Sequence, residues 1–275
     1  MMVAERKADV EEGEYKMQVE LLDQDKKNNR LTFLLKGSNT GFANLLRKTI
    51  IDEVPTMAIE DVEFRKNNSV LYDEIVAHRL GLVPLVTDLD AYNLPADCSC
   101  KGEGCSKCQL MLSLKGKGPG YVYASEMKSK DPKVIPAHPK MPIVKLIKGQ
   151  VLEFEAVAVL GKGKEHAKWV PGLAHYRYLT EIKVKKGCKD PKAVVDSCPV
   201  NVFELKSNDV VVKNPVACHL CGACIDIAPD HIKVEENGQD FVFVLESWGQ
   251  LSPEEMVEKA IEIIGAKSDE VAKFK

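Results

Sequence analysis

Seven of the nine cysteines fall in two short stretches, Cys98–Cys108 and Cys218–Cys224. Thiols this concentrated dictate the local fold, because they close either on one another or on something they bind. The polar, acidic start MMVAERKADVEEGEY carries no secretory signal. No apolar stretch reaches the ~20 residues that span a bilayer. The expected compartment is the cytoplasm, where thiols stay reduced and clustered cysteines more often mean metal than disulfides. A length of 275 residues allows one large or two to three small domains. The net charge of -3 gives no global basic signature, so it does not predict nucleic-acid binding.

In CSCKGEGCSKC, Cys98, Cys100, Cys105 and Cys108 form two short pairs across a loop containing Gly102 and Gly104. Four thiolates so placed can close a tetrahedron on Zn²⁺, and glycine lets the backbone turn tightly between the pairs. Four unrelated surface cysteines are the alternative, and four in eleven residues argues against it. All four positions are filled, so the expectation is one structural Zn²⁺ rather than a catalytic one.

VACHLCGACIDIAPD (216–230) spaces Cys218, Cys221 and Cys224 three apart, as in the ferredoxin run C-x₂-C-x₂-C-x₃-C-P. The fourth position is Ala228, before Pro229. In two-cluster ferredoxins each run's fourth cysteine serves the other run's cluster. Counting back from Cys198-Pro199 gives an upstream run, CKDPKAVVDSCP, with Val194, Pro191 and Cys188 at its remaining positions. Crossing the runs leaves one complete site, Cys198, Cys218, Cys221 and Cys224. The other, Cys188, Pro191, Val194 and Ala228, keeps one ligand of four. One [4Fe–4S] cluster is expected, with Cys188 left over. The alternatives are a [3Fe–4S] state, if Cys198 is displaced or pairs with Cys188, and a ferredoxin-like domain without a cluster. A domain of some fifty residues builds little core, so a structural cluster is the economical reading.

Elsewhere strands and helices mix without βαβ alternation, so the expected class is α+β. YKMQVELLDQ and NRLTFLLKG read as strands; VLEFEAVAVLGKGKEH and DFVFVLESWG read as two more. Phe42, Leu45, Leu46, Thr49 and Ile50 share one helical face, with Ser38, Asn39 or Thr40 as cap and Pro55 as stop. DEIVAHRLGLVPL predicts a helix capped by Asp73 and ended by a left-handed Gly81. SPEEMVEKAIEIIG predicts a helix with Ser252 as N-cap, Pro253 at its first position and Glu255 closing a capping box. Met256, Val257, Ala260, Ile261 and Ile264 line its apolar face. KGKGPGYVYASEMKSKDPKVIPAHPKMP reads as long exposed loop. The six histidines belong to no recognisable catalytic motif, and neither G-x-G-x-x-G nor a P-loop occurs, so no catalytic constellation emerges.

NTGFANLLRKTIIDEVPTMAIEDVEF, LYDEIVAHRLGLVPL, HAKWVPGLAHYRY and FVFVLESWGQLSPEEMVEKAIEII resemble the alpha-like subunits of archaeal DNA-directed RNA polymerase. That family is the counterpart of the bacterial alpha N-terminal domain and of the third-largest subunit of eukaryotic polymerase II. The resemblance implies an alpha-subunit-like dimerisation domain at 1–53 plus 238–275. An inserted mixed α/β domain at 54–184 would carry the zinc loop at 95–108, and a ferredoxin-like iron–sulfur domain would lie at 185–237. It implies a non-catalytic assembly subunit that pairs with subunit L and then meets subunits N and P and the second-largest catalytic subunit. Phe42, Leu45, Leu46, Arg47, Ile50, Val257, Ile261 and Ile264 become candidate interface residues. Members with full cysteine complements bind two clusters, whereas Pro191, Val194 and Ala228 argue for one here. Two readings compete: a ferredoxin-type electron carrier with a fused domain, and a zinc-dependent nucleic-acid binder, which the -3 charge disfavours.

Overall fold

The computed structural model describes residues 17–274. The acidic start and the first residues of the first expected strand lie outside them. Strands β1 (Gln18–Asp25) and β2 (Arg30–Lys36) flank a turn in which the Asp25 carboxylate accepts from the Lys27 and Asn28 amides. Asn29 supplies the positive φ (50°) that the turn requires. Helix α1 (Thr40–Asp52) is capped by Asn39, whose Oδ1 accepts from the Phe42 amide at 2.9 Å. It ends at Asp52, and a turn at Glu53 and Val54 leads to β3 (Pro55–Asn67), which starts at the expected proline.

Helix α2 (Asp73–Gly81) forms where the sequence predicts it, but its ends differ. Tyr72, not Asp73, holds the cap position, and the Asp73 carboxylate accepts from Asn67 Nδ2 at 2.7 Å. Gly81 is the last helical residue and does not take a positive φ; Leu82 comes next at φ −89°. The Val83 amide donates to the Leu80 carbonyl at 3.1 Å, so the chain turns toward the buried Val83 and Leu85 through a right-handed Leu82 and needs no left-handed residue.

The stretch expected as exposed loop folds into the core. After β4 (Gln109–Lys117) come β5 (Gly120–Tyr123), a 3₁₀ turn at Ala124–Glu126, β6 (Lys128–Ser129) and β7 (Pro142–Leu146). Val122, Ala124, Met127 and Val134 are buried. Val122 and Ala124 alternate with the exposed Tyr121 and Tyr123, but over four residues only, and the Gly, Pro and Lys on either side hide so short a period. Their partners are remote in sequence, as in the Val122↔Val144 pairing of β5 with β7. Strand β8 (Val151–Lys162) alternates as predicted, pairing with β3 on one side and β4 on the other. Leu152, Phe154, Ala156, Ala158 and Leu160 point inward, and burying each Leu or Phe contributes about 1.5–3 kcal/mol. The sheet order is β3-β8-β4-β6.

Strand β9 (Gly172–Val184) leads to α3 (Pro191–Ser197), β10 (Phe203–Lys206), β11 (Asp209–Val212) and α4 (Ala223–Ile227). Ser207 and Asn208 both take positive φ between β10 and β11, the two-residue turn that suits the strands' twist. Strand β12 (Ile232–Ser247) begins eight residues before the expected DFVFVLESWG and ends two short of it, with Phe241, Val242, Phe243, Val244 and Leu245 all buried. Helix α5 (Pro253–Ala272) carries the full predicted capping box and buries Met256 and Ala260. A second four-stranded sheet has the order β1-β2-β12-β9. The α+β class therefore holds. The described chain divides into two compact units: 17–22, Phe33–Phe42 and Arg177–Val242 form one; Asp23–Thr32, Ala43–Tyr176 and 243–274 form the other.

Candidate metal centres

The first group sits between a 3₁₀ turn at Pro95–Asp97 and the start of β4. Lys101, Gly102 and Gly104 take φ of 55°, 84° and 94°, which folds one cysteine pair back over the other at the two places where glycine costs least. The Cys105 carbonyl accepts from the Cys108 and Gln109 amides, both at 3.0 Å, and closes the second pair into a tight turn. The four sulfurs all lie within 4.8 Å of one another. Cys98 Sγ is 3.6 Å from Cys105 Sγ and 3.5 Å from Cys100 Sγ; Cys108 Sγ is 3.5 Å from Cys100 Sγ and 3.8 Å from Cys105 Sγ. The Cys105 amide points at Cys108 Sγ from 3.3 Å. Contacts from Cys108 and then Cys98 pull the Cys100 thiol down to about 6. At Cys108 the Cys105 amide lowers the pKa, but burial and the sulfurs of Cys100, Cys105 and Cys98 outweigh it and push it up to about 12. Crowded sulfurs of this kind favour thiolate wherever a cation can share the charge. The arrangement can hold a metal ion.

The second group comes together from three places in the chain. Cys198 ends α3, with its sulfur 3.3 Å from the Val202 amide. Cys218 succeeds a 3₁₀ turn at Pro215–Ala217, and Cys224 sits in the first turn of α4. Between them Leu220 (φ 61°) and Gly222 (φ 81°) turn the loop so that Cys221 swings round. All four cysteines line one cavity of about 100 Å³, walled by Val202, Phe203 and Val234. Burial pushes the Cys224 thiol up, and the charges of Cys218, Cys221 and Cys198 push it the same way. The tight sulfur grouping within 4.8 Å is confined, among the described residues, to the first site.

The positions of the incomplete site have gone elsewhere. Val194 is 0% and Ala228 5% exposed, both in an apolar core against which the half-buried Cys188 packs. Pro191 opens α3, and its missing N–H suits the first helical position.

The candidate interface residues divide. On α1, Leu46 and Ile50 are buried, Phe42 and Arg47 half-buried, and Leu45 is 47% exposed. Arg47 donates to Asn44 Oδ1 at 2.9 Å. On α5, Val257 and Ile264 are half-buried and Ile261 is 45% exposed. Helical spacing alone puts these residues on common faces. Depth within a face depends on what packs against the helix, which the spacing does not carry.

Residues 59–171 match the family described as the RNA polymerase Rpb3/RpoA insert domain. The chain is 39% identical over 258 residues to the DNA-directed RNA polymerase subunit Rpo3 of Archaeoglobus fulgidus, covering 94% of this chain and 97% of that one. To the protein of the same name from Thermococcus kodakarensis it is 39% identical over 253 residues, 91% and 95% of the two chains. The Methanosphaera stadtmanae counterpart is 35% identical over 268 residues, 94% and 98%. Likeness of this degree along nearly the whole length shows that the chain belongs to the Rpo3 family of DNA-directed RNA polymerase subunits.

Proposed function

We propose that the chain acts as a non-catalytic assembly subunit of DNA-directed RNA polymerase. The observation that carries this is the end-to-end likeness to Rpo3 subunits. A fused electron carrier is disfavoured because that likeness is not confined to the cysteine-rich stretch. In this reading the chain pairs with the small subunit L and then meets subunits N and P and the second-largest catalytic subunit in the cytoplasm. Leu45 and Ile261, apolar and open to solvent in the lone chain, support α1 and α5 as the face for L. Among the described residues no helix is long and apolar enough to cross a membrane.

The three-part layout belongs to the same proposal: 1–53 with 238–275 for dimerisation, an insert from 54 to 184, and a ferredoxin-like part at 185–237. One buried core draws on residues from Met57 to Leu160, and another on Val194 to Ile232. The insert-domain match ends at 171, just before β9, which joins the sheet of β1, β2 and β12.

Zinc fits the first group. Four sulfurs ~2.3 Å from one ion stand about 3.8 Å apart along the edges of a tetrahedron, against 3.5, 3.5, 3.6 and 3.8 Å here. With every position taken by sulfur, the ion staples the loop and leaves no place for water. A [4Fe–4S] cluster fits the second group: four cysteines, Cys198, Cys218, Cys221 and Cys224, line one cavity of about 100 Å³. Such a cluster supplies a four-point covalent tie and a one-electron centre. The chain's own residues gather the thiols and wall one side with Val202, Phe203 and Val234, while Cys221 stays exposed.

Anaerobic co-expression with an L-type subunit tests partner and metals together. The expected product is a stable heterodimer with one zinc per chain and iron and sulfide in the ratio of a single [4Fe–4S] cluster. A lower iron-to-sulfide ratio identifies the three-iron state, with Cys198 off the metal. A chain that stays free of L while being rapidly and reversibly reduced would revive the electron-carrier reading.

A further inference from the structure

Arg177 lies on β9, far in sequence from either arm of the second cysteine group. Its Nη2 donates to the Val216 carbonyl, and its Nε donates to the Cys218 carbonyl at 3.4 Å. Three residues along, the buried Thr180 donates its hydroxyl to the Pro215 carbonyl at 3.2 Å. Two side chains of one strand thus satisfy three carbonyls, of residues 215, 216 and 218, in the loop that delivers Cys218 and Cys221. This loop has little regular backbone pairing of its own: a single 3₁₀ turn, then the left-handed Leu220 and Gly222. Side-chain donors therefore add to the few backbone bonds, of the Asn214, Ala217 and Cys218 amides, that fix it. A guanidinium suits the task because its planar fork reaches two carbonyls at once and its charge does not titrate away.

We propose that Arg177 is the positioning residue of the Cys198–Cys218–Cys221–Cys224 site, clamping the Cys218 loop at ligand spacing and setting a fixed positive charge beside a ligand peptide. The inference rests on reading that cavity as an iron–sulfur site. Two effects arise from one side chain. The fork keeps Cys218 and Cys221 from drifting off the cluster. The charge favours the more negative, reduced state, because cluster potentials follow local charge and hydrogen bonding. Thr180 shares the first effect but not the second.

The test uses the full chain, reconstituted anaerobically with iron and sulfide, as wild type, Arg177→Gln, Arg177→Lys and Thr180→Val. Iron and sulfide content, the rate at which a chelator bleaches the visible absorption, and the potential from a dithionite titration are read on each. Arg177→Gln is expected to bleach about tenfold faster, the low end of what loss of a ligand-supporting partner does, with its potential shifted negative. Arg177→Lys keeps the charge without the fork, so its potential returns toward wild type while bleaching stays fast. Thr180→Val bleaches faster at unchanged potential. If wild type loads and both arginine variants match it in rate and potential, the clamp is refuted. Should Arg177→Gln fail to fold, Arg177→Lys decides, since a folded variant bleaching at the wild-type rate refutes the clamp too. Wild type that takes up neither iron nor sulfide fails at the prior step and overturns the cluster reading itself.

Discussion

Glu53 shows how a single residue binds distant segments together. Its carboxylate, only 15% exposed, takes ion pairs from Lys162 (3.4 Å), Lys164 (3.2 Å) and Lys267 (3.2 Å). Burial alone would raise its pKa, but the hydrogen bonds and charges of Lys164 and Lys267 outweigh burial and hold it below the ordinary carboxylate range. A folded-state pKa below the unfolded one means that the stabilisation is present above the unfolded value and is lost as pH falls through the folded one. Glu53→Gln should therefore cost roughly 1 kcal/mol at neutral pH, a modest figure because two of the lysines are half exposed. In denaturant titrations the gap from wild type should close on going from pH 7 to below pH 4; a gap independent of pH would assign the loss to packing. Nothing in the sequence points to this cluster, since Lys162, Lys164 and Lys267 each lie more than a hundred residues from Glu53. The cysteines are the opposite case. Cysteine spacing is local, so the four-sulfur grouping at Cys98–Cys108 is legible as written, and crossing the runs points to Cys198 as the residue that lines one cavity with the other three. Arg177 gives no such sign, because its hydrogen bonds reach across 39 and 41 residues to backbone carbonyls, which every residue has.

At the scale of elements, legibility depends on whether the determining interactions lie within a few residues. Helix α5 is the clear success. Ser252 Oγ accepts from the Glu255 amide at 3.2 Å, and the Glu255 carboxylate accepts from the Ser252 amide at 2.7 Å. Ser252→Ala should destabilise the chain by about 1 kcal/mol, seen as a lower midpoint in urea with unchanged slope. A change in slope would mean that more than the cap had been lost. Helix α2 shows the limit, since Asp73 and Gly81 have the right identities for caps and neither serves as one. Beyond Gly81 a right-handed turn at Leu82 leads to the buried Val83 and Leu85, an ending set by tertiary packing. Strands β5 and β6 fail for the same reason, each being stabilised by partners twenty or so residues away in a stretch whose composition resembles loop.

For the whole molecule, the decisive contrast is between neighbours on one helix. Leu46 is 3% exposed, and Leu45 beside it is 47% exposed. Leu46→Ala should cost about 2–5 kcal/mol of folding stability wherever the chain is measured. Leu45→Asp should cost little in the lone chain, because its side chain already meets water. Ile261 on α5, 45% exposed, belongs with Leu45. An assembly subunit keeps such residues apolar at some loss of solubility, and the stabilisation comes only when a partner covers them. The double variant Leu45→Asp with Ile261→Asp should thus leave the thermal midpoint of the isolated chain nearly unchanged and abolish co-purification with the L-type subunit. Sedimentation of the mixed subunits checks this directly. Undiminished association would remove α1 and α5 from the interface. A midpoint that falls as far as that of Leu46→Ala would mean that these side chains serve the chain's own fold rather than its assembly.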